Sequence, residues 1–156
     1  MDQMISALMD RFEDFKNPEF EISGVKFKIS KLPPMKGFKM AEEIRFNLAK
    51  SANQIEVDGS SDEKSAALFF KAILSLPVEF IERLQKELFK HFEFQGSGVD
   101  KGWMILSGAE DMAFQDFEII NIYEALARGL IINFSGSFSG MLSVFQSAAQ
   151  NTAPQS

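Results

Sequence analysis

The sequence contains no cysteine, one histidine, one tryptophan and one tyrosine. Without thiols there is no disulfide, no thiolate nucleophile and no zinc site of the usual cysteine-bearing kind, so the chain folds by packing alone and suits a reducing compartment. With His91 the only imidazole, a serine-histidine-acid device or a general base of ordinary pKa has to use that residue. A long unbroken apolar run is missing too. The stretch from Ala125 to Phe145 is interrupted by Arg128, Asn133 and repeated serines and glycines, which argues against a membrane span. The amino terminus, MDQMISALMDRFEDF, is acidic where a secretory signal needs a basic flank and a continuous apolar core. The most informative absence is electrical: Gly129 to Ser156 holds no charged side chain, although the chain as a whole carries a net charge of −6.

What is present is phenylalanine, 17 copies in 156 residues, a side chain with no polar handle whose use is burial. This length suits a single domain with a sizeable core. An acidic balance without a basic stripe repels phosphate backbones, so nucleic acid is not an expected partner.

Periodicity predicts a mainly α fold of the α+β kind, a single domain of amphipathic helices with one or two small β-hairpins. A helix is expected over Met4 to Phe15, with Ile5, Leu8, Met9 and Phe12 on one face and Asn17-Pro18 ending it. Phe20, Ile22, Val25, Phe27 and Ile29 alternate around Ser23-Gly24 and predict a hairpin near residues 19–30. After Pro33-Pro34 a helix should turn Phe38, Ala41, Ile44 and Leu48 inward and Lys36, Lys39, Glu43 and Lys50 outward. A polar loop over 51–61 leads, through a capping box of Ser60 and Glu63, to a helix burying Ala66, Phe69, Phe70 and Ile73. Pro77 breaks that helix and starts another, which buries Phe80, Ile81, Leu84 and Leu88 and pairs Glu79 with Arg83 and Glu82 with Lys86. The runs around Phe92-Phe94 and Trp103-Leu106 flank a Gly-rich turn and suggest a second hairpin. From about Glu110 to Asn133 one helix is apolar around most of its girth, with Glu118, Asn121 and Arg128 as its polar edge. A helix of that kind calls for cover by its own domain or by neighbouring copies. The expected division is a helical globular domain over 1–133 and an uncharged apolar, Ser/Gly-bearing segment over 134–156 whose end is disordered in isolation.

Catalytic and metal-binding patterns do not assemble. His91 follows Lys90 at the end of a helix, where an imidazolium suits the helix dipole. In Gly96-Ser97-Gly98-Val99-Asp100-Lys101-Gly102 the lysine precedes the glycine, the reverse of a phosphate loop, and a turn explains the glycines. Asp58, Gly59 and Asp62 do not complete a calcium loop. Glu42-Glu43 and Glu110-Asp111 are adjacent pairs whose members point apart on a helix. Catalytic, cofactor and metal residues are therefore none, and no enzyme is expected.

The uncharged end is the candidate site. Phe134, Phe138, Met141, Leu142 and Phe145, set among serines and glycines, read as an adhesive strip that contacts another polypeptide; the plainer alternative is that they finish the domain's own core. Burying three phenylalanines yields roughly 5–9 kcal/mol. Association costs at least ~4 kcal/mol, so one strip binds weakly and several copies gain by avidity.

The blocks FKISKLPPMKGFKMAEEIRFNLAK, ILSLPVEFIERLQKELFKHFEF, GWMILSGAEDMAFQDF and IYEALARGLIINFSGSF occur in that order, roughly from Phe27 to Phe138. In order and texture they resemble the tail assembly chaperones of long-tailed bacteriophages and related phage-tail particles. That resemblance implies a non-enzymatic, oligomeric chaperone of the host cytoplasm. It would coat and solubilise the tape measure protein, help bring tail tube subunits to it, and depart before the particle is finished. It implies no cofactor and supplies no motif for client contact. A tail or baseplate adaptor that stays in the particle is the alternative reading.

Overall fold

The computed structural model describes residues 2–50, 62–95, 102–114 and 118–134. Strands β1 (Glu19–Ile22) and β2 (Val25–Ile29) form the expected hairpin. Its two turn residues, Ser23 and Gly24, have φ of 50° and 80°, the left-handed pair that a tight two-residue hairpin requires. Strands β3 (Phe92–Gln95) and β4 (Trp103–Ile105) pair as the second hairpin. The two hairpins do not stand apart. β2 and β3 run antiparallel with Phe27 opposite Phe94 and Ile29 opposite Phe92, giving one four-stranded sheet in the order β1-β2-β3-β4. The fold is α+β with helix predominant, as expected, but its two hairpins are one four-stranded sheet rather than separate decorations. Alternation explains the fusion: Ile22, Phe27, Ile29, Phe92 and Phe94 are buried on one face, while Lys28 and Glu93 meet at 3.4 Å on the other.

Helix α1 (Asp2–Met9) is shorter than its periodicity suggested. Beyond Met9 the N–H groups of Arg11 and Phe12 donate to carbonyls three residues back, and a 3₁₀ turn follows at Asp14–Lys16. That tightening brings Phe12 and Phe15, three apart, into the core together. Helix α2 (Pro34–Lys50) buries Ile44 and Leu48 of the expected stripe, with Met40 joining them while Phe38 stays outside and Ala41 is half-buried. Phe38 sits about 200° around the helix from Met40 at 100° per residue, and is 62% exposed. Helix α3 (Asp62–Leu74) buries Ala66, Phe69, Phe70 and Ile73 as expected, with Ala72 added. Helix α4 (Val78–Phe89), capped by Pro77, buries Phe80, Leu84 and Leu88, with Phe89 in place of the half-buried Ile81. Arg83 reaches across to Glu43 of α2 at 3.8 Å, not along its own helix to Glu79.

The long helix expected from Glu110 divides into α5 (Glu110–Ala113) and α6 (Ile119–Phe134). At the end of α5 the backbone of Phe114 leaves helical geometry, and its ring stacks on Phe27 with centroids 5.7 Å apart. Every residue of α6 from Glu124 to Ile131 is buried within this one chain, so neighbouring copies are not needed to cover it; Ile119 and Ile120, at its start, are exposed. Asn121 ties that start to the hairpin by donating to Ser23 Oγ at 2.9 Å. The loop over 51–61 with its capping Ser60, the turn over 96–101 and the segment beyond Phe134 lie outside the described residues.

Gly129 shows how closely α6 approaches the sheet. A Cβ at this position would lie 2.9 Å from Phe92 Cζ and 3.0 Å from its Cε1, so the ring rests on bare helix backbone. Gly129→Val should therefore lower stability by about 1–3 kcal/mol despite valine's better helix propensity. Chemical denaturation checks this, and adding Phe92→Leu should restore part of the loss.

Candidate functional site

Arg128, expected on a polar edge, is 1% exposed and is the largest fully buried side chain among the described residues. Its Nε donates to Glu124 at 3.1 Å and its Nη2 to Asp14 at 2.9 Å, while Arg11 donates to the other oxygen of Glu124 at 2.7 Å. The guanidinium lies between two rings, 4.4 Å from the centroid of Phe15 and 4.3 Å from that of Phe20. Planar, delocalised and weakly hydrated, guanidinium tolerates such a slot where an ammonium would not. The signal was present in the sequence: Glu124 and Arg128 are spaced i, i+4 inside an otherwise apolar stretch. The cluster is structural, because the polar reach of Arg128 is spent on protein partners.

His91 does not act as a charged cap. Burial, with the nearby positive Lys36, pushes its pKa below the ordinary histidine value, against the opposing pull of Glu87, and its Nε2 is buried without a hydrogen-bond partner. Neutral imidazole is the form this site holds. Asp14 is held below the usual carboxylate range by its hydrogen bond from Arg128, against a smaller desolvation effect.

Among the described residues no group of three or more His, Cys, Asp or Glu is placed to hold a metal ion. Nor is any helix there long and apolar enough to cross a membrane. What stands out is uncovered apolar surface. Met35, Phe38 and Phe46 project from α2, at 76%, 62% and 57% exposure. Of the charges between them, Glu42 and Arg45 pair with each other at 2.5 Å. At the sheet edge, β4 exposes Trp103, Met104 and Ile105, with the Lys28 ammonium 4.4 Å from the Trp103 ring centroid. The sequence hinted at the α2 face, since that helix carries more apolar residues than one stripe can bury.

Of the five residues expected to form the adhesive strip, Phe134 is 5% exposed and belongs to the core. Phe138, Met141, Leu142 and Phe145 lie outside the described residues. Phe134 lines a trough of about 320 Å³ against the first two turns of α2, together with Leu32, Pro34, Gly37, Phe38 and Ala41. Asn133 fixes this corner: its Oδ1 accepts from the Leu32 N–H at 2.9 Å, and its Nδ2 donates to the Gly129 carbonyl at 2.8 Å. A second cleft, between α2 and α4, has an apolar floor of Met40, Phe80 and Leu84 and a rim of mixed sign from Lys36, Lys39, Arg83, Glu43 and Glu87.

Apolar residues of α2 and β4 are thus displayed on an acidic α+β body. Residues 23–143 match the family model described as phage tail assembly chaperone protein, TAC, and the chain belongs to that family. The family serves tail assembly, is generally non-enzymatic, and implies a phage tail protein as client. No curated protein and no solved structure matches the chain.

Two outcomes follow from the buried charges. Arg128→Ala should cost about 3–5 kcal/mol by emptying the slot between Phe15 and Phe20 and leaving the buried Glu124 with Arg11 as its one remaining ion-pair partner, and Glu124→Gln in the same chain should recover part, both read by denaturant melts. For His91 the folded pKa lies below the unfolded value of about 6.5, so its stability contribution is complete above that pH and lost as pH falls. Thermal midpoints measured between about pH 7 and 5 should decline, and His91→Gln should flatten the decline.

Proposed function

We propose that this chain binds and solubilises the tape measure protein, helps recruit tail tube subunits to it, and leaves before the tail is complete. It works in the host cytoplasm, without enzymatic activity or cofactor, and self-associates so that several copies act on one long client. The observation that carries the reading is the charge-free run from Gly129 to Ser156 in a family member whose net charge is −6. A client that is mostly amphipathic helix needs apolar cover, and the acidic body keeps the loaded complex soluble.

The proposed client contacts are Phe138, Met141, Leu142 and Phe145, with the buried Phe134 as the root from which the strip departs. The exposed Met35, Phe38 and Phe46 support the same reading by adding apolar area on α2. Self-association is supported by the uncovered edge strand β4 and by the exposed start of α6, and not by the buried remainder of that helix.

Removing residues 135–156 should leave a chain with a native melting transition that no longer keeps co-expressed tape measure protein in the soluble fraction. Undiminished client solubility would take the strip out of the mechanism. Mass spectrometry of purified mature particles should find the protein missing; stoichiometric retention would make it a structural adaptor instead.

A further inference from the structure

The cleft between α2 and α4 is more regular than the mixed sign of its rim suggests. Lys36, Lys39, Met40 and Glu43 of α2 fall at i, i+3, i+4 and i+7. Phe80, Arg83, Leu84 and Glu87 of α4 repeat that spacing on the other side. Two helices thus turn matching two-turn stripes toward one groove of about 220 Å³, apolar at its floor and charged along its edges. Apolar surface continues outward on the α2 shoulder. Met35, 76% exposed, stands one turn before Lys39, and Phe46, 57% exposed, one turn beyond Glu43.

The edges are not electrically balanced, because their carboxylates are already engaged. Glu43 pairs with Arg83 at 3.8 Å. Glu87 accepts from Lys90 at 2.8 Å, the main reason its carboxyl is held below the usual range, with Lys36 adding a smaller pull. Lys36 and Lys39 themselves form no ion pair among the described residues. Lys36 also stands in the first turn of α2, a turn without an acidic residue, where the positive helix end disfavours a cation and attracts an anion. On a chain whose net charge is −6, this groove keeps two ammonium groups uncompensated.

We infer that the groove between α2 and α4 holds an amphipathic helix of another polypeptide, one whose apolar stripe is bordered by carboxylates. The stripe lies along the groove and over Met35, and the carboxylates meet Lys36 and Lys39. A second copy of this chain fits less well, since the apolar residues its α2 exposes stand beside the same two lysines and would bring like charges together. The inference uses neither the carboxy-terminal strip nor the identity of the client, and so goes beyond the function proposed above.

The probes are two labelled synthetic helical peptides that share one leucine stripe, bordered by glutamate in the first and by lysine in the second. Titrated into the full-length protein at low salt and followed by fluorescence anisotropy, the glutamate peptide should bind about tenfold more tightly, and added salt should shrink the difference. Lys36→Gln with Lys39→Gln should bring the two affinities within about threefold of each other, and Lys36→Glu with Lys39→Glu should reverse their order. Both lysines are exposed, so these variants should keep the native melting transition. Lys26→Glu, on β2, should leave the preference unchanged. If a double variant fails to fold, the single Lys36→Gln and Lys39→Gln chains decide, each reducing the preference by about threefold. Equal affinity for the two peptides, no binding of either, or a preference indifferent to both lysines would overturn the inference. Loss of self-association in the glutamate variants, with neither peptide bound, would assign the groove to a second copy and overturn it as well. Peptide selectivity and client solubility are separate readouts. Should selectivity hold while the truncated chain still solubilises the tape measure protein, the strip fails and the groove stands.

Discussion

The fold depends on how two consecutive residues of α6 meet the sheet and the amino-terminal turn. Arg128 brings a charge into the core, where Glu124, Asp14 and the faces of Phe15 and Phe20 enclose it. Gly129, next to it, brings nothing, and Phe92 occupies the space. From these two points the aromatic residues close a circuit. Phe20 stacks on Phe27 with centroids 5.3 Å apart, Phe27 on Phe114, Phe114 meets Phe89, and Phe89 tilts against Phe92 at 5.0 Å. Buried ion pairs contribute little net stability against a well-packed apolar alternative, but they tolerate little misalignment. Here the cluster sets the rotation of α6 beneath the sheet, and the glycine sets its distance.

That arrangement determines the surface as well as the core. The inner face of the sheet is packed by Phe27, Phe92 and Phe94 against Phe89 and Phe114, while α2 contributes the single stripe Met40, Ile44 and Leu48. Of its remaining apolar residues, Met35, Phe38 and Phe46 stay outside the core. Exposed rings are a hazard for a soluble chain unless charge surrounds them, and the acidic balance of this sequence supplies it. A chaperone of tail assembly needs this combination, since it must offer apolar contact to a client without joining its own kind indiscriminately.

Much of the fold was legible because local rules governed it. The 19–30 hairpin followed from alternation around Ser23-Gly24, the break between α3 and α4 from Pro77, and the buried face of α3 from its spacing. Where two local solutions competed, the sequence did not choose. On α2 the expected stripe kept Ile44 and Leu48 inside, but Met40 joined them and Phe38 stayed outside. The helix expected from Glu110 leaves helical geometry at Phe114, whose ring stacks on Phe27, a partner 87 positions away in the chain. Of the candidate strip, pattern marked Phe134 as adhesive, yet the fold takes it into the core.

The sequence by itself determined the chemistry the protein can use. It has no thiol, one histidine, an acidic body and an uncharged end, and the order of its blocks carries the resemblance to its family. The periods of its strands and of most of its helices were also there, because hydrophobic alternation is a local property of the chain. Only the tertiary structure decided that two hairpins make one sheet, that Arg128 is interior while Phe38 is exterior, and that Gly37 floors an open trough while Gly129 is filled. Those outcomes depend on contacts between segments far apart in sequence, and a side chain's burial is set by what arrives opposite it rather than by what stands beside it.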